Sequence, residues 1–172
     1  MARITLPDNG NLDVVNALSL ARPDLARAVG GLDAAVSASP LDPRVHELVR
    51  MRVAQINQCT VCMSWRTPAA VAAGVTDELL GDVHRYAELD ELSSAEKTAI
   101  EFAERFSTDS ANIDDGLMGR LGEHFSPGDI VELTLVIGKY VAFGRFMQVL
   151  GLDQSCVLEY APGGGVQTVA GA

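Results

Sequence analysis

Residues 39–62 read SPLDPRVHELVRMRVAQINQCTVC, and this stretch decides how the chain folds. It opens on a helix start signal, with Asp42 as the N-cap and Pro43 at the first helical position. Apolar residues then recur at helical spacing, which predicts one buried stripe. That stripe consists of Val45, Val49, Val53 and Ile56. The pair Asn57-Gln58 predicts a break, so a second helix begins among the cysteines that follow.

The two cysteines of this stretch are Cys59 and Cys62, and they stand three residues apart. The second helix is predicted over Thr60 to Ala73, with Gly74 as its left-handed C-cap. Both thiols then project from one helical face, which suits a dithiol that closes to a disulfide and reopens. Cys59 at the N-terminal edge of this helix lies where the helix dipole favours a thiolate.

Two charged residues are candidates for supporting the dithiol. Arg66 falls on the same predicted face and would lower a thiol pKa by its charge, and Glu47 lies on the preceding helix. Plainer interpretations stay open: packed core thiols, a solvated or interfacial Arg66, and a surface Glu47. A structural zinc site needs two further ligands, and Cys156, His46 and His84 form no second cluster.

The remainder of the chain reads as further helices. Leu12 to Val36 is predicted as two short helices or one with a loose end, because Pro23 and Gly30-Gly31 break it. No alternating strand pattern appears, and residues 161–172 read as a flexible tail. We therefore predict an all-α, single-domain helical bundle over residues 1–160. Further helix starts are predicted at Thr76, Ser93, Asp114 and Ser126, the last opening the longest helix, to about Leu150.

Composition and charge exclude several classes of function. The 172 residues carry a formal net charge of -10, which disfavours binding to nucleic acid or to an anionic membrane surface. No secretory signal is visible, and the most apolar stretch, Ile130 to Leu150, is too charged for a bilayer span. Three cysteines without an export signal predict reduced thiols in the cytoplasm. No phosphate-binding loop is visible, so no flavin or nicotinamide cofactor is predicted.

The stretch from Glu47 to Cys62, followed by Ala69 to Gly74, resembles the alkylhydroperoxidase D-like group of the carboxymuconolactone decarboxylase superfamily. Leu92 to Lys97 and Phe125 to Phe146 resemble the closing helices of that family, so the likeness covers about residues 40–150. The resemblance implies an all-helical fold that assembles as trimers or hexamers. It also implies a dithiol activity on organic hydroperoxides or on a carrier disulfide.

By the same resemblance, Cys62 attacks the peroxide, Cys59 resolves the intermediate, and Glu47 is the acidic member of a proton relay. The family's relay histidine is replaced by Arg66, and its histidine between the cysteines by Val61. We therefore expect a weakened antioxidant dithiol oxidoreductase, reduced by a lipoyl-bearing or thioredoxin-like donor. The alternatives are a non-catalytic or repurposed helical oligomer that binds a small molecule or partner, and a lactone decarboxylase.

Overall fold

The structure is a computed structural model that describes residues 2–152 and the backbone of residues 157–160 and 166–169. Its bulk is helical, as the sequence predicts. Cys156 and the greater part of the predicted tail, residues 161–165 and 170–172, lie outside the described residues. The described α-helices are α1 (Asp13–Ser19), α2 (Pro23–Ser37), α3 (Pro43–Ile56), α4 (Thr60–Ser64), α5 (Pro68–Ala72), α6 (Asp77–Asp82), α7 (Ser94–Thr108), α8 (Asp115–His124) and α9 (Pro127–Leu150).

The helix starts that the sequence predicts are confirmed by side-chain caps. The Asp42 carboxylate accepts from the backbone N–H groups of residues 44 and 45 and so begins α3. Ser93 and Ser126 each form a reciprocal capping box, with Glu96 and Asp129 respectively, at the starts of α7 and α9. Helices α7 and α9 both pack against α3, so local signals set much of the framework.

Three local expectations are corrected. Helix α2 continues without interruption through Gly30-Gly31. Pro23 stands at its first position, where proline starts a helix, so the predicted break occurs only before Pro23. The single helix predicted over residues 60–73 is two helices, since Thr67 caps a new start at Pro68. Two strands that the sequence analysis did not anticipate, Val157–Tyr160 (β1) and Val166–Val169 (β2), pair antiparallel.

Helix α3 is buried on two faces, which makes it the centre of the fold. Val45, Val49 and Val53 pack against α7, α8 and α9, as the predicted stripe requires, while Ile56 is half-buried. The opposite face packs on α5 and α6 and includes Leu48 and Met51. Two short 3₁₀ helices follow α6 and α7 along the chain: Val83–Glu88 lies between α6 and α7, and Ser110–Asn112 lies between α7 and α8.

Helices α1 and α2 lie over the dithiol end of this core. Ala17 of α1 belongs to a small apolar cluster with Cys59, Val61 and Met147. Most of α2 is exposed, with Val36 as its buried residue. The cysteines therefore lie between the central helices and an outer helical layer.

Candidate active site

The two cysteines lie where α3 ends and α4 begins. Asn57 caps the end of α3, and its side-chain amide donates to the Tyr140 carbonyl of α9 at 3.1 Å. Gln58 then takes a left-handed backbone conformation, with φ 52°, and turns the chain into α4. This turn places Cys59 at the N-cap of α4, as predicted.

Cys59 and Cys62 are joined as a disulfide, so the structure holds the oxidised state of the dithiol. The Cys62 backbone N–H donates to Cys59 Sγ at 3.3 Å, which is the N-cap contact. Cys59 is completely buried, whereas Cys62 is half-buried. The two residues therefore differ in exposure, and Cys62 is the more accessible of the pair.

Glu47 pairs with Arg50, a residue that the sequence analysis did not single out. The guanidinium donates twice to the carboxylate, from Nε at 2.9 Å and from Nη2 at 2.6 Å. Both side chains are almost fully buried, at 2% and 1% exposure. Removing either partner would leave an uncompensated buried charge, so we expect the pair to be held tightly.

Arg50 also binds the helix that carries the cysteines. It donates to the carbonyl oxygens of Cys62 and Trp65, the latter at 3.1 Å. Its guanidinium carbon lies 4.4 Å from the centroid of the Trp65 ring. Arg50 thus fixes the C-terminal end of α4 against α3, and Glu47 fixes Arg50.

Arg66 does not lie on the helix that carries Cys62, contrary to the sequence analysis. Helix α4 ends at Ser64, so the regular spacing from Cys62 to Arg66 is lost. The Arg66 guanidinium donates to the Met63 and Trp65 carbonyls and pairs with Asp77 at 2.9 Å. Glu47 and Arg66 therefore have different partners, since Arg50 donates to both oxygens of the Glu47 carboxylate.

A cavity of about 370 Å³ opens beside Cys62. Its volume falls in the range of about 300–1,000 Å³ typical of small-molecule pockets. Most of its lining is apolar and comes from α1, α2 and α9. Representative lining residues are Leu18, Val29, Val61, Trp65, Phe143 and Met147.

Polar groups border this cavity at two places. Lys139 lines it and pairs with Asp33 of α2 at 2.5 Å. Burial lowers the pKa of Lys139, and the Asp33 carboxylate opposes that shift. Tyr140 also lines the cavity, and its hydroxyl lies 3.2 Å from Nε2 of His46. Burial lowers the pKa of His46 as well.

Three residues of this site were missed at the level of sequence. The Glu47–Arg50 spacing of three residues on a helix is a visible pairing signal, although Arg44 stands at the same spacing on the other side of Glu47. Trp65 and Lys139 carry no local signal, because their positions in the cavity depend on long-range packing. Candidates Cys59, Cys62 and Glu47 do lie within one connected cluster.

Together these features define a class: a predominantly helical protein with a Cys-x-x-Cys pair beside an apolar cavity. Residues 23–105 match the model of the carboxymuconolactone decarboxylase family. Uncharacterized protein YdfG of Bacillus subtilis (strain 168) is 30% identical over 114 residues, which cover 66% of this chain and 78% of YdfG. The chain belongs to the carboxymuconolactone decarboxylase family.

Two further similarities concern the sequence and the fold. Uncharacterized protein YnjA of Escherichia coli (strain K12) is 35% identical over 66% of this chain and 63% of its own length. A peroxidase-related protein of Ralstonia eutropha JMP134, described as an alkylhydroperoxidase AhpD core, has a TM-score of 0.69 at 19% identity. That match covers 82% of this chain and 75% of the other, and at this identity it establishes the fold alone.

Two further properties of the described residues concern membranes and metal ions. None of the described helices has the length and apolar character that a bilayer crossing requires. Within the same part of the chain, no group of three or more His, Cys, Asp or Glu residues is arranged to hold a metal ion.

Proposed function

We propose that the protein is a dithiol oxidoreductase that reduces organic hydroperoxides at Cys62, with Cys59 as the resolving cysteine. The observation that carries this proposal is the Cys59–Cys62 disulfide with one of its residues, Cys62, lining an apolar cavity. An apolar lining suits the alkyl part of a hydroperoxide, while the buried Cys59 is shielded from direct attack.

The proposed reaction consumes two thiols and one hydroperoxide. The Cys62 thiolate attacks the terminal peroxide oxygen, the O–O bond breaks, and the alkoxide takes a proton from water to leave as the alcohol. Cys62 is then a sulfenic acid, and the Cys59 thiol attacks its sulfur to form the disulfide and release water. An external dithiol, of the lipoyl-bearing or thioredoxin-like class, reduces the disulfide by exchange and is itself oxidised.

The charges around the site support slow turnover. Glu47 is held by two hydrogen bonds from Arg50, so its carboxylate is committed to a structural pair. Arg66 faces Asp77 and the carbonyls near the end of α4 rather than the cavity. With no histidine at either family position, proton transfer depends on water, which general acid–base groups ordinarily outperform.

Location and assembly are part of the same proposal. A dithiol that must be reduced after each turnover needs a reducing compartment, which we infer to be the cytoplasm. Exposed apolar side chains on α9, including Val131 and Leu135, are consistent with a homo-oligomer such as a trimer or hexamer.

The direct test follows thiols and product together. Fully reduced protein is mixed with cumene hydroperoxide, and free thiols and cumyl alcohol are quantified. We expect two thiols to be lost for each alcohol formed, and continued turnover when dihydrolipoamide is added. Cys62→Ser should form no alcohol. If the wild-type protein keeps both thiols under these conditions, the peroxidase proposal is wrong.

A further inference from the structure

The cavity beside Cys62 has one charged pair whose two members differ sharply in exposure. The Lys139 side chain is 7% exposed and the Asp33 side chain 53% exposed, although their charged atoms lie 2.5 Å apart. The ammonium of Lys139 also lies 4.1 Å from the Tyr140 ring centroid and 5.0 Å from that of Phe143. The cation is therefore held inside the cavity wall, while its counterion reaches in from the surface.

The two residues also differ in what fixes them. Lys139 lies in the middle of α9, which packs against the central helix α3. Asp33 lies on α2, a helix whose buried residue is Val36 and whose other side chains are largely exposed. Asp33 can return to water at small cost, whereas Lys139 stays buried and needs an anion.

Arg50, the other cation in the described cavity lining, has no counterion that can leave. Arg50 is already saturated by the buried Glu47 carboxylate and by two backbone carbonyls. Among the cations that the described residues place in the cavity lining, Lys139 is thus the one with an exchangeable counterion. A carboxylate that enters the cavity can take the place of Asp33 without leaving a buried charge unpaired.

We propose that the cavity binds amphipathic carboxylates, with the carboxylate on Lys139 in place of Asp33 and the alkyl chain against the apolar wall. That wall includes Leu18, Val29 and Met147. As a statement about the substrate, this inference rests on the proposed function and specifies hydroperoxides that carry a carboxylate. As a statement about binding, it needs no thiol chemistry.

The chain contains its own reporter for this binding. Trp65 is the single tryptophan of the sequence, and it lines the cavity. Octanoate and octanol, which share one alkyl chain and differ in charge, are titrated separately into the oxidised protein while Trp65 fluorescence is recorded. Equilibrium dialysis of both ligands provides a second measurement that does not depend on fluorescence.

We expect octanoate to bind at least about tenfold more tightly than octanol. The reason is that a hydrogen bond between the Lys139 ammonium and a carboxylate is stronger than one between the same ammonium and a neutral hydroxyl. Lys139→Met should remove this preference, Lys139→Arg should keep it, and Asp33→Asn should tighten octanoate binding by removing the competing anion. Lys97→Met, which changes the other lysine of the chain, is the matched control and should behave as wild type.

Two results would overturn the inference. One is equal affinity of the wild-type protein for octanoate and octanol, or no binding of either by dialysis. The other is a Lys139→Met variant that is folded by circular dichroism and still prefers octanoate. Because the assay uses the oxidised protein, its failure leaves the peroxidase proposal standing. Conversely, a Lys139-dependent preference without peroxide reduction would leave the binding inference standing.

Discussion

The buried Glu47–Arg50 pair provides the sharpest test of how the dithiol is held. In Arg50→Met, the Glu47 carboxylate keeps its 2% exposure but loses both hydrogen bonds from the guanidinium. Breaking a buried ion pair in this way typically costs about 3–5 kcal/mol. The carbonyls of Cys62 and Trp65 lose their donor as well, which adds to that cost. We therefore expect the free energy of unfolding to fall by about 3–5 kcal/mol or more.

The matched control is Arg52→Met, on the same helix. Arg52 pairs with Glu104 at 2.6 Å, and these side chains are 16% and 32% exposed. A partly exposed pair is worth about 1 kcal/mol or less. Urea unfolding of the oxidised proteins, at one fixed protomer concentration, measures both variants. The double variant Glu47→Leu with Arg50→Met removes both charges, so it should be more stable than Arg50→Met alone. An Arg50→Met cost no larger than that of Arg52→Met would refute this reasoning.

Three further predictions concern packing, pH and assembly. A Cβ at Gly144 would lie 2.9 Å from Cγ of the buried Asn57, so Gly144→Ala should destabilise the protein by about 1–3 kcal/mol. Gly138→Ala should not, because a Cβ there would meet Phe106 at the ordinary contact distance of 3.9 Å. Thermal unfolding compares the two variants, and equal effects would contradict the close approach at Gly144. Burial lowers the pKa of His46, so below about pH 6.5 the unfolded chain binds more protons than the folded protein and wild-type stability should fall. Urea unfolding at several pH values should show a flatter dependence of stability on pH for His46→Gln than for His84→Gln, which changes an exposed histidine and serves as the control. Leu135→Glu places a charge on the exposed apolar face of α9 and should reduce the particle mass measured by light scattering. Val71→Glu, at an equally exposed position on α5, should leave the mass unchanged. A monomeric wild-type protein would contradict the expected assembly.

Local signals in the sequence predict the framework of this fold well. Asp42, Ser93 and Ser126 begin helices because their side chains satisfy backbone N–H groups within a few residues. Such caps need no tertiary information. The predicted end of α4 is wrong for a related reason: Thr67 is itself a cap, and Pro68 starts α5, so one apolar stretch contains two helices.

The candidate site is only partly visible in the sequence. The Cys59–Cys62 spacing identifies the dithiol, and the family resemblance identifies Glu47. Which cation reaches Glu47 depends on three-dimensional contacts, since Arg44 and Arg50 stand at equal helical spacing from it. Lys139 lies more than 75 residues beyond Cys62, and its place in the cavity follows from the packing of α9 on α3.

The central claim is that Cys62 is the cysteine that meets the oxidant. To test it directly, reduced variants that lack one cysteine of the pair are mixed with a stoichiometric amount of cumene hydroperoxide. The sulfenic acid that forms is trapped with dimedone and located by peptide mass spectrometry. The account predicts rapid labelling of Cys62 in Cys59→Ser and little labelling of Cys59 in Cys62→Ser, because Cys59 is completely buried. Faster labelling of Cys59 than of Cys62 would contradict it.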